Sequence, residues 1–158
     1  MDDQGVLALA RTSLERTVEW IDTDAAGHQH NSAILRWVEA AEAELFRRLG
    51  VPEYFPVAPR VHQSTNFKAK LRFGQRITVE VAIVAIGRTS MTFTFLVTGH
   101  AFEGHAAGTA AHGTFTTVHV PVGQVRPAGW PPNIRQAITA PRQDETAEPI
   151  ASFARRTP

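Results

Sequence analysis

Residues 22–31 read Asp-Thr-Asp-Ala-Ala-Gly-His-Gln-His-Asn, with carboxylates, imidazoles and a carboxamide set around one glycine. Three readings fit that set. The first is acyl transfer. A helix starting at the end of this stretch aims unpaired backbone N–H groups, and the positive end of its dipole, outward. A carbonyl oxygen that gains negative charge is stabilised there. Gly27 lets the backbone come close with no side chain in the way, and Asp22 or Asp24 supplies a base or nucleophile. A thioester suits such sparse equipment, because a thiol with a pKa of roughly 8.5 leaves without a strong general acid. The second reading is a metal site. His28 and His30 form an H-x-H beside the two acids, and His62, His100, His105, His112 or His119 could complete it in space. The third is purely structural, since Asp and Asn cap helices and Gly makes turns. Ser-His-Asp catalysis fits least, because no serine stands in a nucleophile-elbow context.

The flanking elements must hold this turn in place. Before it, ERTVEWID (15–22) is β-branched and aromatic with partial alternation, which predicts a first strand. After it, Ile34, Val38, Ala41, Leu45 and Leu49 recur at helical spacing, with Leu35 and Phe46 widening the stripe. Asn31 or Ser32 is positioned to cap that helix, and Gly50 followed by Pro52 stops it. Glu44 and Arg48 form a favourable i,i+4 pair, and Arg36 with Glu39 is expected to pair at i,i+3.

Beyond a proline-rich connection, residues 60–71, 75–86, 90–102 and 106–120 alternate with period two between turn-like RFG, GRT and EGH. They predict four successive antiparallel strands in a meander. PPNIRQAI suits a last helical turn, and the polar residues 139–158 read as a loose tail. The expected division is an N-terminal extension over 1–13, one domain over 14–138 and the tail over 139–158. The class is α+β, one long helix against an antiparallel sheet. One helix cannot cover both faces of such a sheet, so either the far face is polar or a second copy covers it.

Composition narrows the functions. At 158 residues and 43% hydrophobic the chain supports one globular core. A formal charge of +1 gives no electrostatic case for nucleic acid or an acidic membrane. With no cysteine, thiol catalysis and disulfides are excluded. No apolar run reaches membrane-span length. The acidic start MDDQ is the reverse of a signal peptide, so the cytoplasm is the expected compartment.

The stretch VEWIDTDAAGHQHNSAILRWVEAAEAELFRRLG resembles the 4-hydroxybenzoyl-CoA thioesterase family of the hotdog fold. The matching positions are Asp22, Asp24, Gly27, His28, Asn31, Leu35, Arg36, Trp37 and Glu39, and a weaker likeness runs through residues 14–138. The resemblance implies a long central helix wrapped by an antiparallel sheet, in a homodimer that pairs again into a homotetramer. It implies hydrolysis of an acyl-CoA thioester with no cofactor and no metal. Asp24 would be the catalytic carboxylate, and the backbone N–H of Asn31 would polarise the carbonyl. Gly27 and His30 belong to the same catalytic turn. His28 and Thr65-Asn66-Phe67 would meet substrate, the latter from a neighbouring chain, and Arg88-Thr89-Ser90 would meet the phosphates of coenzyme A. An acyl-carrier-protein thioesterase would use the same carboxylate, with Arg88, Lys68 and Lys70 against the carrier. A non-catalytic acyl-binding module would need no carboxylate. Two departures bear on the acyl group: Ile34 stands where many members have tyrosine, and His30 where asparagine is frequent.

Overall fold

The helix fed by the turn forms as its spacing requires. In the computed structural model, which describes residues 7–142, helix α1 spans Asn31–Leu49. Its stripe of Ile34, Val38, Ala41, Leu45 and Phe46 is buried. Gly50 ends it in the left-handed region at φ 71°, and the Val51 N–H closes back on the Phe46 carbonyl at 3.3 Å, satisfying an end carbonyl. Glu44 holds both Arg48, at 2.8 Å, and Arg47, at 2.6 Å. The cap differs from the expectation. Neither Asn31 nor Ser32 supplies it; the His30 ring accepts the Ser32 N–H at 3.1 Å.

Five strands form one antiparallel sheet: β1 Ala10–Thr17, β2 Arg60–Phe67, β3 Arg76–Ile86, β4 Ser90–Gly99 and β5 Gly108–Val118. Their order is β1-β3-β4-β5-β2. The meander holds for β3, β4 and β5 only. β1 already occupies the free edge of β3, from Ala10 opposite Ile83 to Thr17 opposite Arg76. β2 therefore crosses to the other edge and pairs with β5, from Arg60 opposite Thr117 to Phe67 opposite Ala111. The first strand is also shifted. It begins at Ala10, inside the stretch read as an extension, and ends at Thr17. Residues Trp20–Asp22 instead make a 3-10 turn, closed where the Asp22 carboxylate accepts the Glu19 N–H at 2.8 Å.

Period-two alternation sorts the faces. Met91, Phe93, Phe95 and Val97 of β4 are buried on the helix side, while Thr92, Thr94 and Thr98 sit half-buried on the other. Leu96 shares that face with the three threonines. Between α1 and the sheet, Phe46 stacks on Tyr54 at 3.6 Å between ring centroids, and Phe93 on Phe115 at 4.3 Å. Such rings contribute roughly 1.5–3 kcal/mol each on burial. A short helix α2, Pro132–Thr139, docks Ile134 and Ile138 into the same core. Arg142, in the predicted tail, bonds the carbonyls of Leu9 and Ala137, each at 2.5 Å. The rest of that tail, 143–158, and residues 1–6 lie outside the described residues. Among the described residues, no helix is long and apolar enough to cross a membrane.

Candidate active site

The two aspartates of the turn differ in environment. Asp22 is 6% exposed and both its oxygens are committed. One accepts the Glu19 N–H at 2.8 Å, the other the Arg36 guanidinium at 2.8 Å. Arg36 therefore pairs with Asp22 and not with Glu39, because the turn folds back over the first turns of α1. Asp24 is exposed. Its Oδ1 accepts the Ala26 N–H at 2.8 Å in a tight Asx turn, and its other oxygen has no partner among the described residues.

The loop from Thr23 to Gln29 is a small hairpin. The Asp24 N–H donates to the His28 carbonyl at 3.0 Å, and Thr23 bridges Gln29. Gly27 takes φ 79° at its tip, a conformation that favours glycine. The loop is pinned to the connection between β2 and β3. The Gln29 N–H donates to the Leu71 carbonyl at 3.0 Å, the Gln29 side chain accepts the Leu71 N–H at 2.7 Å, and His28 bridges Arg72. At the helix entrance, the Nδ1 of His30 is taken by the Ser32 N–H and lies 2.7 Å from the Ser32 hydroxyl. That leaves the Asn31 N–H exposed, with no partner among the described residues, at the N-terminus of a 19-residue helix.

The structure brings some of the expected site residues together. Asp24, Gly27, His28, His30 and Asn31 share the turn and helix entrance. Thr65, Asn66 and Phe67 lie on β2, one of the sheet's two edge strands, and Phe67 is 47% exposed four residues before Leu71, to which the loop is anchored. Arg88, Thr89 and Ser90 are not part of this group. Arg88 and Thr89 join β3 to β4, which Ser90 opens, at the opposite end of the sheet from Arg72, roughly 30 Å along the strand. The Arg88 carbonyl there accepts the Trp130 N–H at 3.0 Å. Among the described residues, no three His, Asp or Glu side chains cluster in a way that could hold a metal ion.

Sequence reasoning missed a buried polar network in the middle of α1. Glu42 is 5% exposed. It accepts from the Tyr54 hydroxyl at 2.8 Å and from Arg60 at 2.7 Å. The Tyr54 oxygen also lies 3.0 Å from the Thr117 hydroxyl, and Arg60 stacks 3.9 Å above the Phe115 ring centroid. Burial pushes the Glu42 carboxyl above its ordinary value, outweighing the pull of Arg60. Burial, and then the Glu42 charge, hold the Tyr54 hydroxyl far above its own. A signal existed: Glu42 falls four residues after Val38 and three before Leu45, on the apolar stripe, where a charge needs a partner.

A family profile described as the thioesterase-like superfamily matches residues 18–138. No protein of curated function matches the chain in sequence. Among solved structures, a thioesterase complexed with coenzyme A and Zn from Thermus thermophilus superposes with a TM-score of 0.70 at 26% identity, covering 87% of this chain and 95% of that one. A predicted thioesterase from Bacillus stearothermophilus gives 0.70 at 26% identity, over 82% and 94%. The 4-hydroxybenzoyl CoA thioesterase from Pseudomonas sp. strain CBS-3 gives 0.72 at 18% identity, over 81% and 99%.

Proposed function

Since the chain belongs to the thioesterase-like superfamily and has its hotdog fold, we propose that it is an acyl-CoA thioesterase, hydrolysing a coenzyme A thioester to the free acid and coenzyme A. The observation that carries this reading is the division of labour in the turn. Asp22 is locked into structure, while Asp24 keeps a free oxygen in the loop that leads to the unpartnered Asn31 N–H. The thioester carbonyl accepts from Asn31, which polarises it with the helix dipole behind. Asp24 takes a proton from water as the water oxygen bonds to the carbonyl carbon. The tetrahedral intermediate collapses, the C–S bond breaks, and the thiolate leaves. Alternatively Asp24 attacks the carbon directly, and water then opens the mixed anhydride. Gly27 shapes the loop and His30 holds the helix entrance. His28 faces substrate, as do Thr65, Asn66 and Phe67 from a second copy. Arg88, Thr89 and Ser90 reach this site only if a second copy supplies them.

The narrower kinship with 4-hydroxybenzoyl-CoA thioesterases is part of this proposal. The turn DTDAAGH supports it, as does the TM-score of 0.72 with the Pseudomonas enzyme. An acyl-carrier-protein thioesterase is the second reading. It is favoured by Trp20, Ile21 and Phe73, which are 78%, 76% and 57% exposed beside the loop and offer a protein an apolar foothold. The test is thiol release over a panel of CoA and carrier-protein thioesters. Turnover of a CoA ester by the wild type, lost in Asp24→Asn, is expected. Turnover of carrier-protein esters alone selects the second reading, and no turnover of either removes both. Oxygen-18 uptake in a single turnover separates water activation from direct attack.

A further inference from the structure

Beside the catalytic loop, between the connection from β2 to β3 and the connection from β4 to β5, lies an open groove of about 290 Å³. Lys70, Arg72 and His105 line it, with Gln75 and the backbone of Gly108. Neither Lys70 nor Arg72 has an acidic partner among the described residues, whose ion pairs all lie elsewhere. Glu103, at the tip of the turn that presents His105, pairs with none of them. A Cβ added at Gly108 would meet nothing within 4 Å, so the wall there is open. Unpaired cations gathered in a recess are a place for an anion. Attraction is stronger there than on an open surface, and the guanidinium fork and the lysine ammonium both suit phosphate oxygens.

The groove is also tied to the site. The Gln29 N–H donates to the Leu71 carbonyl at 3.0 Å, and His28 bridges Arg72. Gln29 is two residues from Asn31, so the Asn31 N–H lies within about 10 Å of Leu71. A pantetheine arm is about 15 Å long, equal to four or five residues of extended chain. A thioester at Asn31 therefore leaves the phosphate end of its arm within reach of Lys70 and Arg72. We propose, building on the thioesterase reading above, that the Lys70–Arg72–His105 groove binds the phosphate at the end of the substrate's pantetheine arm. This places the phosphate on the same chain as Asp24, and not on Arg88. The phosphate belongs either to coenzyme A or to the phosphopantetheine of a carrier protein, which share this chemistry.

Titration calorimetry on the full chain, with free coenzyme A, 4′-phosphopantetheine and pantetheine as probes, reads the groove without turnover. The wild type is expected to prefer coenzyme A over pantetheine by ~10-fold or more, the scale of one charge-assisted hydrogen bond. Lys70→Gln with Arg72→Gln should erase that preference. The charge-conserving pair Lys70→Arg with Arg72→Lys should restore it, which separates charge from any shift of the loop anchored at Arg72. A like preference for 4′-phosphopantetheine places the phosphate next to the arm, common to both sources. A preference for coenzyme A that 4′-phosphopantetheine does not share would overturn the proposal, since it would put the nucleotide end and not the arm's phosphate in the groove. The proposal is overturned if the wild type shows no preference, if the Gln pair keeps it, or if Arg88→Ala abolishes it while the Gln pair does not. Thioester turnover without phosphate preference would remove the groove and leave the thioesterase reading. Phosphate preference with no turnover of any thioester would do the opposite.

Discussion

Asp22 and Asp24 are the same residue type two positions apart, and burial separates their tasks. Asp24→Asn is expected to lower kcat by roughly 10²–10⁴ with little change in KM, the scale of losing a general base. Asp22→Asn should act mainly on stability, since it removes the charge facing Arg36 and leaves one side-chain oxygen for two donors, Arg36 and the Glu19 N–H. A loss of roughly 1–3 kcal/mol is in scale for a buried charged hydrogen bond. Steady-state kinetics beside urea denaturation of the two variants checks both, and a reversed ranking would move the catalytic role to Asp22. Glu42 makes a separate prediction. Its folded pKa is raised, so the folded chain holds this proton to higher pH than the unfolded chain. Stability from this group is complete below the ordinary value of 4.5 and is lost as pH rises through the folded value. Wild type should therefore lose ground to Glu42→Gln as pH rises above 4.5, read from urea midpoints. If wild type gains instead, the Arg60 pairing outweighs burial. The sequence marked the turn as the place for chemistry, and the resemblance chose Asp24. Composition could not rank the two carboxylates, because the distinction rests on Arg36 and Glu19, which only the folded turn brings to Asp22.

At the scale of elements, local signals were legible and long-range pairings were not. The period of α1 with its Gly50 stop, and the alternation in β3, β4 and β5, are written in neighbouring residues. The crossing of β2 to the far edge is not, since it depends on β1 having taken the near one. The first strand was misplaced because Val18, Trp20 and Ile21 look extended, whereas Asp22 turns the backbone and leaves both Trp20 and Ile21 outside. Gly113 shows how tightly β2 is seated. A Cβ there would stand 1.9 Å from the Ser64 carbonyl oxygen and 2.8 Å from the Phe95 ring. Backbone cannot yield as a flexible side chain does, so β2 must part from β5 around Ser64. Gly113→Ala is expected to cost roughly 1–3 kcal/mol or more, in line with overpacking elsewhere. Its amides on β2, from Ser64 to Phe67, should exchange with solvent faster than those of β4. Equal protection on the two strands would mean that the sheet absorbs the methyl group without detaching its edge.

The sheet of the whole molecule ends in two edge strands, β1 and β2. The backbone of α1 lies closest to β1 and β3, and its Glu42 reaches across to bond Arg60 of β2. β2 carries the other flank with its outer edge unpaired and most of its residues exposed, Val61 at 59% and Phe67 at 47%. An open strand edge and exposed apolar side chains are both liabilities in water. A second copy set edge to edge against β2 would pair the open ladder in a closed twofold unit. It would also bring Thr65, Asn66 and Phe67 of one copy toward the turn of the other, completing a site that each chain holds in part. The expected outcome is an obligate homodimer whose specific activity falls with dissociation, with pairing into a tetramer as a further step. Sedimentation velocity from nanomolar to micromolar chain concentration, run beside initial rates at the same dilutions, checks it. Proline in place of Gln63 or Ser64, neighbours whose N–H groups face opposite edges of β2, blocks one edge at a time and then identifies the strand. Proline at the position whose N–H faces outward should give monomers that keep the β5 pairing and lose turnover. A monomer with full activity would show that one chain's turn and groove suffice, and that β2 serves the sheet alone.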